Sequence, residues 1–184
     1  ASEPQEPTDD ELELMDSLYA RILDEAFPLD SGPGISIRFT GAGVPEFFAS
    51  LTWVKSMDEP HQLVASSVEA EKNGIRAQMI AVMMESEVAN ERQLSSALRF
   101  RQQEVDEGQC PRIREIYSAF DSQWLDLTPP GPPFGDVIIT ADGTSMAFLV
   151  NDGRTSVEAR STDPESLLYK WGLNLMRVLR DCGE

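Results

Sequence analysis

Histidine occurs once in these 184 residues, at His61, and cysteine only twice, at Cys110 and Cys182. These scarcities exclude much chemistry. A Ser-His-Asp or Cys-His nucleophilic site would have to use His61. That residue follows Pro60 in an expected loop, no Gly-x-Ser-x-Gly elbow is present, and neither cysteine has a nucleophile-like setting. One histidine and two distant cysteines do not match zinc-ligand spacings. There is no EF-hand loop, dinucleotide fingerprint or c-type haem motif, so no catalytic, metal or cofactor residue is assigned. No run is long or apolar enough to span a membrane. Basic residues are scarce too: 15 Lys and Arg against 32 Asp and Glu leave a net charge of −17. Such a chain repels phosphate backbones, so nucleic-acid binding is not expected. It would steer a basic protein partner toward itself.

The two cysteines suggest a bridge. Cys110 precedes Pro111, where a helix is expected, and lies on the extension of its apolar stripe Ile113, Ile116, Tyr117, Phe120 and Trp124. Cys182 ends the last helix on that helix's own apolar stripe. If the two helices run antiparallel, start meets end and the sulfurs can bond. A disulfide favours an oxidising compartment, hence a periplasmic or extracellular location. The opening Ala-Ser-Glu-Pro-Gln-Glu-Pro is small and polar. It fits the mature start of an exported protein, or the tether after a lipid-modified cysteine. Residues 1–7 are expected to be a disordered lead, and residues 8–184 one domain.

Thr8-Asp9-Asp10-Glu11 is a capping box, and Met15, Leu18, Tyr19, Ile22 and Ala26 mark an amphipathic helix ending near Phe27-Pro28. Asp30 to Gly34 reads as a turn. Ile35, Ile37 and Phe39 then alternate with Ser36, Arg38 and Thr40, a strand with one wet face. Gly41-Ala42-Gly43 reads as a strand-to-helix turn without the lysine or spacing of a phosphate loop. Leu51 to Val54 is a second strand. Asn73-Gly74 predicts a hairpin over residues 62–85, its second arm the Met-rich segment around Met79 and Met83, packed in the core, with a helix as the alternative for Glu69 to Glu71 and the Met-rich segment. Asn90-Glu91-Arg92-Gln93 resembles another cap, and Leu94, Ala97, Leu98, Arg101 and Val105 predict a helix reaching Gly108. Thr128 to Pro133 is a stiff connector.

From Asp136 to Cys182 the pattern is a three-stranded meander closed by a helix. Asp142-Gly143 and Asp152-Gly153 are read as two-residue turns. They place Val137, Phe148 and Val157 in line, with Asp136 and Glu158 on the opposite, wet face. Thr162-Asp163-Pro164-Glu165 is read as the start of the last helix. Thr140-Ala141-Asp142-Gly143-Thr144 resembles the Asp-x-Asp-Gly-Thr loop of haloacid-dehalogenase-like phosphatases, but Thr140 replaces the nucleophilic Asp and the resemblance is rejected.

The expected fold class is therefore α+β, a mainly antiparallel sheet packed against N-terminal, central and C-terminal helices. In outline and charge the chain is similar to secretion chaperones and immunity-type inhibitors, a likeness that carries no residue across. The expected function is non-enzymatic: an extracytoplasmic protein that binds a basic partner, as an inhibitor or immunity protein does. Asp136, Glu158 and the acidic first helix are the candidate contact surface. Two alternatives stand beside it, a carboxylate-dependent hydrolase of cell-envelope glycan and an assembly subunit of an envelope complex. A glycan hydrolase requires two carboxyl groups roughly 5–9.5 Å apart across a cleft.

Overall fold

The computed structural model describes residues 6–29, 34–41, 45–55, 61–86, 89–127, 145–151, 156–161, 163 and 165–183. The elements run α1 (Asp9–Ala26), β1 (Gly34–Thr40), β2 (Phe47–Val54), β3 (Gln62–Ala70), α2 (Ile75–Glu85), α3 (Glu91–Ala97), β4 (Phe100–Asp106), α4 (Arg112–Leu127), β5 (Ser145–Asn151), β6 (Ser156–Ser161) and α5 (Leu167–Cys182). The six strands form one sheet in the order β4-β3-β2-β1-β5-β6, and every neighbouring pair is antiparallel. The expected α+β class holds.

Alternation along the strands separates two apolar layers. On one face Ile35, Ile37 and Phe39 of β1 join Phe47, Ala49 and Leu51 of β2, Leu63 and Ala65 of β3, and Met146 and Phe148 of β5. Helices α4 and α5 cover them through Ile113, Ile116, Phe120, Leu168, Trp171, Leu175 and Val178. The Trp171 indole N–H donates to the Ile116 carbonyl at 3.1 Å, so its burial leaves no orphan donor. Gly172 lets α5 approach the sheet closely: a Cβ there would stand 3.1 Å from the Phe39 ring and collide with the Met146 sulfur. On the other face Phe48 and Ala70 meet Met15, Leu18 and Ile22 of α1, Ile75, Met79 and Met83 of α2, and Leu94 of α3.

That second layer corrects the wet face expected for β1. Ser36 is buried at 3% exposure. Arg38 turns its guanidinium to the Leu23 and Phe27 carbonyls, at 3.4 and 3.2 Å. It thereby gives the Phe27 carbonyl a donor at the C-terminus of α1 and adds a second donor to the Leu23 carbonyl, which already accepts from the Phe27 N–H at 3.1 Å. At the other end of α1 the Thr8–Glu11 capping box forms as read.

Three further expectations change. Residues 62–85 are a strand and a helix, not a hairpin. Lys72 and Asn73 adopt positive φ (50° and 67°), and with Gly74 (109°) they turn the chain from β3 directly into α2. Asn-Gly supplies positive φ, and a helix entry uses it here as readily as a hairpin would. The Met-rich segment is α2, with Met79 and Met83 buried in the core. The helix begun at Asn90 forms its capping box but stops at Ala97, and Phe100–Asp106 pairs with β3 as edge strand β4. Where the Gly41-Ala42-Gly43 turn is expected to lead into a helix, Phe47 and Phe48 begin β2 instead.

The C-terminal meander is rearranged as well. β1 occupies the edge of β5 assigned to residues 136–141, with Ile37 opposite Phe148. β6 pairs with Val150 opposite Val157 and Phe148 opposite Ala159, two residues away from the expected register. A shift of two keeps every side chain on its own face, so the apolar pattern survives the change. α5 starts at Leu167 rather than Thr162: Ser166 caps it, accepting from the Tyr169 N–H at 3.2 Å. The turn at residues 30–33, the connector at 128–133, the strand at 136–141 and both Asp-Gly turns lie outside the described residues.

The Cys110–Cys182 disulfide forms as expected, with Cα atoms 5.8 Å apart and a sequence separation of 72. It ties the start of α4 to the end of α5. Replacing both cysteines by alanine is expected to lower unfolding free energy by roughly 4 kcal/mol in the chain-entropy account of a loop this long. Urea titration of the double variant checks this; an unchanged midpoint would mean the unfolded chain is not restrained by the bridge.

Candidate functional site

Among the residues read as site candidates, the structure brings together only Cys110 and Cys182. Asp136 lies outside the described residues. Glu158 stands on edge strand β6, opposite Leu149 in the register, on the sheet face that also carries Ser36 and Arg38.

The acidic first helix is the clearest charged surface. Met15, Leu18 and Ile22 turn inward, which leaves Asp9, Asp10, Glu13, Asp16, Asp24 and Glu25 on the solvent side. Glu11 is committed elsewhere. Its carboxylate accepts from the Thr8 N–H at 2.9 Å and the Ala89 N–H at 3.4 Å, and these bonds hold its pKa below the usual value. Asp16 pairs with Arg76 of α2, and Asp24 approaches Arg38 at 4.0 Å. Among the described residues Asp9, Asp10 and Glu13 have no ion-pair partner. Like charges three and four residues apart on a helix repel by a few tenths of a kcal/mol, about 0.2–0.5 per pair. The positive end of the helix dipole offsets that near the first turn. Leu12 lies within this face and is 37% exposed.

Two buried carboxylates carry no signal in the sequence. Glu46, 3% exposed, accepts from the Ile75 N–H at 2.8 Å and so caps α2, whose own N-cap Gly74 has no side chain to do it. The Tyr19 hydroxyl of α1 also bonds Glu46, and the Arg76 guanidinium lies 4.2 Å over the Tyr19 ring. Glu69, on β3, faces the opposite side of the sheet. It takes a two-point bond from Arg180 of α5 and lies 3.6 Å from Arg101 of β4. Phe47, Ser67, Glu69, Arg101, Gln103, Arg180 and Gly183 line a dent of about 20 Å³ there, room for about one water. The sheet separates Glu46 from Glu69, so these two carboxylates do not face a common cleft.

A third cluster closes the far end of the sheet. Trp53, 37% exposed, meets Tyr117 edge to face at 5.5 Å between centroids, with Arg114 over its ring at 5.2 Å. Arg114 forks onto Glu107, which lowers the carboxyl pKa of Glu107 and raises that of the guanidinium.

None of these carboxylates has a local signature among 32 acidic residues. Only the neighbours supplied by folding single them out. Comparison with protein-family models, curated proteins and solved structures finds no match.

Burial, reinforced by the negative Glu46, pushes the Tyr19 phenol up from 10.0 to about 12. The fold therefore holds Tyr19 protonated where the unfolded chain ionises. That contribution to stability is complete below pH 10 and is lost as pH rises from 10 through about 12. Carbon-13 NMR of the tyrosine Cζ is expected to show Tyr19 titrating near 12. Glu46→Gln, which keeps the acceptor for Ile75, is expected to bring it down; an unmoved titration would remove Glu46 as a cause.

Proposed function

We propose that this is an extracytoplasmic protein-binding protein, not an enzyme, whose exposed α1 face receives a basic protein partner in the manner of an inhibitor or immunity protein. The observation that carries the reading is the group Asp9, Asp10 and Glu13, without an ion-pair partner among the described residues, around exposed Leu12. Charge of one sign around an apolar contact speeds encounter with an oppositely charged partner, and the apolar residue contributes to retention. The net charge of −17 extends the same field. Glu158 on the edge strand remains a candidate second contact. The disulfide supports a location outside the reducing cytoplasm, periplasmic or extracellular. An assembly subunit of an envelope complex would use the same surface. Among the described residues the paired carboxylates of a glycan hydrolase find no counterpart in Glu46 and Glu69, which face opposite sides of the sheet.

The test is capture from envelope and secreted fractions with wild-type and substituted baits. A basic protein is expected on the wild-type bait, in near-stoichiometric amount and weakened by salt. Glu13→Lys is expected to slow its association by about tenfold, and Leu12→Ala to speed its release. Both positions are exposed, so circular dichroism should be unchanged. Retention of the same protein by all baits alike would place its contact away from α1.

A further inference from the structure

We propose that the Cys110–Cys182 bridge is a clasp that opens from one side: a thiolate enters at Cys182, Cys110 departs, and the end of α5 loosens while the core stays folded.

The two sulfurs sit in unequal places. Cys110 is 1% exposed and packed in the core layer with Ile113 and Val105. Cys182, in the last turn of α5, is only partly buried and is followed by exposed Gly183. Thiol–disulfide exchange needs access to the sulfur attacked. Cys182 is the more exposed of the two residues. The departing side is also asymmetric. Cys110 stands at the start of α4, where its carbonyl accepts from the Ile113 N–H at 3.1 Å. The positive end of a 16-residue helix stabilises a thiolate formed there and offsets the cost of its burial. A better-stabilised thiolate leaves faster.

The step balances with a thiol as reductant. Its thiolate bonds to the Cys182 sulfur, the S–S bond breaks, and its electron pair leaves on Cys110. A second thiol displaces the first from Cys182. The two protons given up by the reductant thiols end on the cysteines, both cysteines end as thiols, and the reductant ends as a disulfide.

Bonds that do not involve sulfur limit how far the helix loosens. Gln103 donates to the Leu179 carbonyl at 3.0 Å, and Glu69 holds Arg180 from the partly buried side. Leu175, Val178 and Leu179 remain buried in the core. Beyond Arg180, among the described residues, the end is held by the exposed Arg112–Asp181 pair at 3.0 Å and by the Gly183 N–H bond to the Arg180 carbonyl at 3.2 Å, both beside solvent. Opening is therefore confined to the residues after Arg180.

The experiment uses the intact oxidised protein and reduced glutathione. After a brief exposure the sample is quenched in denaturant containing N-ethylmaleimide and digested with trypsin. The peptides 102–112 and 181–184 each carry one of the cysteines. Glutathione on Cys182 with maleimide on Cys110 is expected in about tenfold excess over the reverse arrangement. Equal or reversed labelling overturns the direction of opening. So does a folded protein that glutathione fails to open while it opens the urea-unfolded chain. Hydrogen exchange of the dithiothreitol-reduced protein tests the second half. Faster exchange is expected at residues 181–183 with protection kept in β2 and β3. Loss of protection throughout, or no change anywhere, overturns the clasp.

Discussion

Strand β1 is hydrogen-bonded along both edges, to β2 on one side and β5 on the other, and the sheet depends on that double pairing. β1 to β4 follow one another as an antiparallel run, interrupted by α2 and α3. β5 and β6 pair with each other as a second antiparallel run. Among the described residues only the β1–β5 seam makes one sheet of them. Ile37 shows why the seam is stable. It lies between Ala49 and Phe148, is fully buried, and contributes to the layer that α4 and α5 close. Burying such a side chain contributes about 1.5–3 kcal/mol, and several from each half meet at this line.

The charges of the interior are arranged around the same sheet. Each buried carboxylate joins elements that the backbone ladder does not: Glu46 ties β2's entry to α1 and α2, and Glu69 ties β3 to α5. A buried carboxylate is costly unless hydrogen bonds or countercharge surround it: Glu46 has hydrogen bonds from the Ile75 N–H and the Tyr19 hydroxyl, and Glu69 has the guanidinium groups of Arg180 and Arg101. The acidity of the chain is thus of two kinds. A few carboxylates are structural connectors with assigned partners. Asp9, Asp10 and Glu13, on the exposed side of α1 near its start, have no ion-pair partner among the described residues.

Legibility from the sequence followed locality. The capping boxes at Thr8 and Asn90 were readable because both partners of each bond lie within four residues. The disulfide was readable because the apolar stripes of two strongly patterned helices end at the two cysteines. The errors fell where local pattern serves two structures equally. Lys72-Asn73-Gly74 supplies positive φ, and nothing within the segment says whether a strand or a helix comes next; burial of Met79 and Met83 against α1 decides it. β4 read as a continued helix because an edge strand needs few apolar residues, and only pairing with β3 distinguishes it. The place of β5 was lost because the partner that claims its edge, β1, is far away in the sequence. Glu46, Glu69 and Tyr19 were silent for the same reason: each acquires its role from residues distant in the chain.

The most direct test of this architecture is the set of cross-strand nuclear Overhauser contacts made by the Hα protons of Ala147, Phe148 and Leu149. Contacts to Arg38, Ile37 and Ser36 are expected, since these are their partners in the β1–β5 register. Contacts to residues 136–138 instead would restore the three-stranded meander, separate β5 and β6 from β1, and contradict the single sheet on which the rest of the structure depends.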